Sequence, residues 1–269
     1  MISRNVALLP LLLSFLAGCA SHNNSQAAPR NDYFASLEHY QFALASSQLS
    51  QAAKKGDLKA KQYLKQYGTW LRAQVAIEQG SADAQASYAR QLANPKGATM
   101  PNYPAAAHWA ALAAKAGNAQ GQYWLAHFYE TGQGVVRDPD QAFYWYQQAA
   151  AQGLVLAQRH LGALLESGEL LRPDLHLAAH WYRQAADQGD SQAQYQLGHF
   201  YQQGRGVAQD LSAAKYWYEL AAKQGQPKAQ YQLGLLLPAS DPKARYWLQQ
   251  AARQGNVQAI DRLSITAVQ

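Results

Sequence analysis

Five tryptophans keep one ruler through most of this chain. Trp109, Trp145, Trp181, Trp217 and Trp247 lie 36, 36, 36 and 30 residues apart. Gly117, Gly153, Gly189, Gly225 and Gly255 show the same intervals. So do Gly121, Ala157, Ala193, Ala229 and Ala259, and so do Leu125, Leu161, Leu197, Leu233 and Leu263. A fixed period of this length means one supersecondary unit repeated and stacked. It constrains the fold more than any local motif does.

The unit from Asp190 to Gly225 shows what is repeated. Ala193, Leu197, Phe200 and Tyr201 fall at helical spacing and form an apolar stripe. Gly204 and Gly206 interrupt it. Asp210 is placed to cap a second helix, whose stripe is Ala214, Trp217, Tyr218, Ala221 and Ala222, and Gly225 ends it. Asp138 before Pro139, Asp174 after Pro173 and Asp241 before Pro242 repeat the capping signal. Each unit is therefore helix, glycine loop, helix. A single hairpin of this kind cannot bury its apolar face, whereas stacked neighbours bury it jointly. The expected fold is all-α: a right-handed α-solenoid of stacked helix-turn-helix units with capping helices. The tryptophans are expected to fill the space between units, so losing one costs about 3–5 kcal/mol locally.

Composition agrees. Alanine occupies 52 positions and glutamine 35 of 269, and neither residue is enriched in strands, which excludes an all-β chain. A mean hydropathy of -0.39 excludes a polytopic membrane protein. One cysteine excludes a disulfide-stapled fold and a multi-cysteine metal knuckle.

The run Ala193-x-x-x-Leu197-Gly198-x-x-Tyr201-x-x-Gly204-x-Gly206-Val207, followed by Asp210, Ala214, Trp217-Tyr218, Ala221-Ala222 and Gly225, resembles the Sel1-like repeat. Leu125, Tyr129, Gly132, Gly134, Val135, Asp138, Ala142, Trp145-Tyr146 and Gly153 match equally well. Other units depart from the pattern. Leu170 replaces the second loop glycine of the unit from Val155, Pro95-Lys96-Gly97 replaces the loop of the unit from Ser81, and the unit from Pro227 is six residues short, with its loop cut to about Pro238–Asp241. The resemblance covers 81–256 as five repeats. Residues 33–80 read as degenerate capping helices, with one helix over Tyr33–Lys55 and two more over Lys59–Tyr67 and Trp70–Gln79. Residues 257–269 read as a capping helix and tail.

The amino terminus carries an export signal. Arg4 precedes an apolar run from Val6 to Leu16, which is too short to span a bilayer and suits a signal-peptide core. Leu16-Ala17-Gly18-Cys19 resembles the bacterial lipoprotein processing box, which implies a signal peptide over 1–18 and acylation of Cys19. Ala20 after the cysteine resembles the outer-membrane class of lipoprotein, so the expected location is the periplasmic face of the outer membrane. The polar stretch over 19–32 reads as a flexible tether. The chain's net charge of +6 has no basic run long enough for nucleic acid.

No chemistry stands out. Gly132-x-Gly134 and Gly204-x-Gly206 lack the preceding strand, third glycine and lysine of a phosphate loop, and read as turns. His176 and His180 are one helical turn apart, but no third ligand accompanies them, and His180 stands at an aromatic packing position shared with Tyr144, Tyr216, Tyr246 and His108. No nucleophile elbow or zinc-protease helix occurs. Neither metal nor cofactor is expected.

Positions that break the repeat on first helices are where recognition would be written. Trp124 aligns with His160, Gln196 and Gln232, and His127 aligns with His199. The resemblance to tetratricopeptide-like arrays implies that first helices line the concave face. These six residues are the candidate partner-binding set. The family implies a non-catalytic, lipid-anchored scaffold for envelope proteins, with precedents in exopolysaccharide export and flagellar motor assembly. The rival class is a binder or hydrolase of muropeptides or β-lactams.

Overall fold

The computed structural model describes residues 36, 40–95, 100–169 and 172–267. The signal peptide over 1–18, Cys19, the tether over 19–32 and Leu170 lie outside the described residues. Every described element is a helix: α1 Phe42–Lys54, α2 Leu58–Glu78, α3 Ala82–Ala93, α4 Tyr103–Lys115, α5 Ala119–Thr131, α6 Pro139–Ala151, α7 Val155–Ser167, α8 Leu175–Asp187, α9 Ser191–Gln203, α10 Leu211–Lys223, α11 Pro227–Leu236, α12 Pro242–Arg253 and α13 Val257–Ala267. The chain forms two compact units, one ending at Trp145 and the other beginning at Tyr146.

In the first unit α1 packs on α2, and α3, α4 and α5 pack on one another. Phe42 of α1 lies flat against Trp109 of α4, with centroids 5.8 Å apart, and meets Trp70 edge-on. Leu49, Leu71, Trp109 and Phe128 are fully buried around this stack. Two sequence expectations change here. A helix over Tyr33–Lys55 is interrupted, because Tyr40 takes a left-handed φ of 57° and α1 starts only at Phe42. Lys59–Tyr67 and Trp70–Gln79 are one helix, α2, running straight through Gly68. A mid-helix glycine costs about 1 kcal/mol. Burial of Tyr63, Gly68 and Leu71 on one face outweighs that cost.

In the second unit each helix packs on the next, from α7 to α13, which is the local packing of an α-solenoid. The capping residues act as the spacing predicts. Asp174 accepts from the Leu177 amide, Asp210 from Ser212 and Ala213, and Asp241 from Lys243. Gly198 sits under the Tyr218 ring, where an added Cβ would lie 2.8 Å from Cδ1, so a glycine lets the second helix approach the first. Gly206 has φ of +62°, and a Cβ there would collide with the Leu175 carbonyl of the preceding repeat. The shortened last hairpin closes over Leu237–Asp241. Val257 opens α13, whose fully buried Ala259 packs with Leu248 and Ala251 of α12.

The repeated tryptophans are not equally deep. Trp109 and Trp217 are buried, but Trp145, Trp181 and Trp247 are only half-buried. Tyr146, Tyr182 and Tyr218, one residue further on, are 0–1% exposed. The expectation that the repeated tryptophans fill the core is therefore corrected at Trp145 and Trp181, where the next residue, a tyrosine, points inward and the tryptophan is half-buried. The position of His180 is likewise outward rather than packed within, since Tyr144, Tyr216 and Tyr246 are each about half exposed, at 48%, 56% and 50%.

Candidate binding surfaces

In the first unit, Asn118 caps α5 by accepting from the Gly121 amide, which sets the register of the helix. Trp124 then falls on the edge of the core. It is half-buried and packs against the first unit's apolar cluster, with ring contacts to His127 at 5.9 Å and Phe128 at 6.0 Å. His127 Nδ1 lies 3.4 Å from the Glu130 carboxylate one turn on. Trp124 is thus part core and part surface, and the buried His127 Nδ1 faces Glu130 without a hydrogen bond.

In the second unit the other four candidates sit on successive first helices. His160 of α7 packs on Tyr146, with centroids 4.6 Å apart. Gln196 of α9 lies beside the Tyr182 hydroxyl. His199 stacks on Tyr195 one turn away, with rings nearly parallel. Burial, aided by the Arg205 charge and opposed by Glu166, holds the His199 pKa below its ordinary value. Gln232 of α11 is half-buried.

Gln196 and His199 belong to a network absent from the sequence reading. The Tyr182 hydroxyl donates to Glu166 Oε2 at 2.9 Å, and Arg205 Nη1 meets Glu166 Oε1 at 2.8 Å. The Arg205 guanidinium also covers the Phe200 ring. Burial and the Glu166 charge both raise the Tyr182 pKa, so the phenol stays protonated and donates. Gln202 replaces Glu166 one repeat later and accepts from the Tyr218 hydroxyl at 2.6 Å. The signal was present as Glu166 and Gln202, Tyr182 and Tyr218, each 36 apart. Neither position looks unusual alone.

A second overlooked feature is a ladder of buried glutamines. Gln85, Gln122, Gln158, Gln194 and Gln230 are 3–8% exposed. Each sends its amide to carbonyls at the end of the helix before it: Gln158 to Ala150, Gln194 to Ala186 and Gln230 to Ala222. A side chain thus supplies donors to helix-terminal carbonyls that lack partners in their own helix. Gln188, Gln224 and Gln254 then donate to the Oε1 atoms of Gln158, Gln194 and Gln230. These glutamines spend their amide hydrogens on holding repeats together.

Among the described residues no three of His, Cys, Asp and Glu converge as a metal site, and no helix is long and apolar enough to cross a membrane. Gly132 and Gly204 end α5 and α9 in left-handed turns.

Comparison with known proteins agrees with this architecture. The model of the Sel1 repeat matches residues 82–118, 119–154, 155–190, 191–226 and 227–256. A Sel1 repeat protein from Oxalobacter formigenes is 30% identical, with a TM-score of 0.62, over 81% of this chain and 88% of that one. A protective antigen of uropathogenic Escherichia coli displaying an SLR fold is 26% identical, with a TM-score of 0.65, over 93% of this chain. This chain spans 57% of that antigen. No curated protein matches significantly. Five consecutive matches, on helix pairs whose caps and buried tyrosines recur with the same period, make this chain a member of the Sel1 repeat family.

Proposed function

We propose that this protein is a non-catalytic scaffold, lipid-anchored through Cys19 at the periplasmic face of the outer membrane, that binds other envelope proteins. Sel1 repeats generally mediate protein–protein interaction. The observation that carries the reading is in the second unit. Gln196 and His199 depart from the repeat, stay half-exposed, and border the Glu166–Arg205 pair, whose side chains are 19% and 33% exposed. A pre-ordered charged network beside variable side chains suits recognition of a partner surface. In the first unit Trp124 and His127 supply an amphipathic patch of the same kind.

The test is capture from envelope extracts by the immobilised full chain. Replacing Gln196 and His199 by alanine should keep the melting temperature within a few degrees, because surface changes usually cost under about 0.5 kcal/mol. Capture should fall about tenfold or more. Undiminished capture, or turnover of muropeptide or β-lactam by the purified chain, would overturn the scaffold reading. Cys19→Ser tests the anchor separately: the variant should no longer float with outer membranes.

A further inference from the structure

The second unit holds an open depression of about 510 Å3 between the C-terminal end of α6 and the outer face of α8. Trp181, Gln184, Asp187 and Gln188 line it, with His180 at its rim. Comparison with the next repeat shows what this depression lacks. There, the guanidinium of Arg183 lies 5.9 Å from the Trp217 ring and 5.5 Å from Tyr201, and it hydrogen-bonds to the Tyr201 hydroxyl. Trp217 is only 7% exposed in that setting. The residue 36 before Arg183 is Gln147, and the residue 36 before Tyr201 is Leu165. Trp181 therefore keeps the ring position while the corresponding position supplies no cation, and its ring is half-exposed.

The rest of the lining carries one carboxylate and neither lysine nor arginine. Asp187 is exposed at the last position of α8, where a carboxylate opposes the helix dipole. The same position carries Lys115, Lys223 and Arg253 in three other second helices and Ala151 in α6. The end of α6 forms the opposite wall through Ala150 and Ala151, where the Ala150 carbonyl already accepts from Gly153 N and Gln158 Nε2. Gln188 spends its amide hydrogens on Gln158 Oε1 at 2.7 Å and the Gln184 carbonyl at 3.4 Å, so the atom left for a ligand is an oxygen. An aromatic face, a carboxylate and an amide oxygen thus line one depression.

We propose that this depression is a cation-binding site that takes the guanidinium or ammonium group of an arginine or lysine side chain on a partner protein. It rests on the scaffold reading for the identity of the partner. The guanidinium stacks on Trp181 as Arg183 does on Trp217, and Asp187 supplies the counter-charge.

Titrating the full chain with Nα-acetylarginine amide tests this through the indole N–H resonance of Trp181, identified by its loss in Trp181→Phe. The resonance should shift saturably, and Nα-acetylglutamate amide should leave it in place. Asp187→Lys should weaken apparent affinity about tenfold or more. Gln147→Arg, which supplies the cation that Arg183 provides in the next repeat, should block the site with the fold retained, as read by circular dichroism. No shift with the arginine probe, an equal shift with the glutamate probe, or wild-type affinity in both folded variants would overturn the proposal. Loss of envelope-protein capture by the wild-type chain with the arginine shift intact would sink the scaffold reading and leave the site standing.

Discussion

Trp181 and Tyr182 are adjacent and recur with the same period, yet they do different work. Tyr182 is 1% exposed, with its hydroxyl held by Glu166, whereas Trp181 keeps part of its ring in solvent. Tyr182→Ala should destabilise the second unit by about 3–5 kcal/mol, as truncation of a buried aromatic does. Trp181→Ala should cost less than about 2 kcal/mol. Urea denaturation of both variants checks this, and equal losses would contradict the burial pattern. A second residue-scale prediction concerns acid. His108 stacks on Tyr40 and meets Trp109 edge-on, and its Nε2 is buried. Burial, helped by the Lys115 charge, pushes its pKa down to about 4. The unfolded chain, with an ordinary pKa near ~6.5, binds the proton first. Stability that depends on neutral His108 is therefore complete above that value and falls as pH drops from 6.5 towards 4. The melting temperature of the wild type should fall across that window more steeply than that of His108→Gln. The period made His108, Trp109, Trp181 and Tyr182 visible as recurring positions. It did not say which of two neighbouring aromatics points inward, because that depends on the rotation of α8 against α7 and α9.

At the scale of elements, caps and loop glycines were legible because their physics is local. Asp174, Asp210 and Asp241 bond amides two or three residues away, so no distant contact is needed to recognise them. Gly206 combines that local signal with a distant one. Its left-handed φ is a loop property, but the closeness of the Leu175 carbonyl belongs to the packing of α8 against the α9–α10 loop. Gly206→Ala should therefore lose about 1–3 kcal/mol from backbone strain alone, with a further loss from the collision. A melting shift matching an ordinary surface substitution would show that the loop relaxes. The continuity of α2 was not legible, since Gly68 resembles a breaker wherever its burial is unknown. The start of α1 was equally hidden, because a tyrosine gives no sign that it will adopt a φ of 57°. The candidate site was read in part. Gln196 and His199 stood out as departures from the repeat, while Glu166 and Arg205, 39 residues apart, had no sequence reason to meet.

For the whole molecule, repeat stacking makes stability a sum of neighbour contacts, so an end should loosen without unfolding the middle. Truncation after Gly255 removes α13 and its buried Ala259, exposing Leu248 and Ala251 of α12. Amide exchange in α12 should then speed up about tenfold or more, while α7 in the same unit keeps its protection. Uniform acceleration through the second unit would mean that it unfolds as one block. The sequence alone determined the number of repeats, their helix–loop–helix form and their capping, because a 36-residue period and local hydrogen bonds are properties of the chain itself. Tertiary structure decided which polar residues are used up in holding the stack. The glutamine ladder is the clearest case. Gln158, Gln194 and Gln230 look like ordinary polar helix residues, and Gln196 and Gln232 look no different in composition. The first three lie in the seams with their amides committed to backbone carbonyls, while Gln196 and Gln232, two residues further along their helices, stay half-exposed. Two residues are 200° of helical rotation at about 3.6 residues per turn. How neighbouring helices dock decides which of those two faces becomes a seam and which stays at the surface.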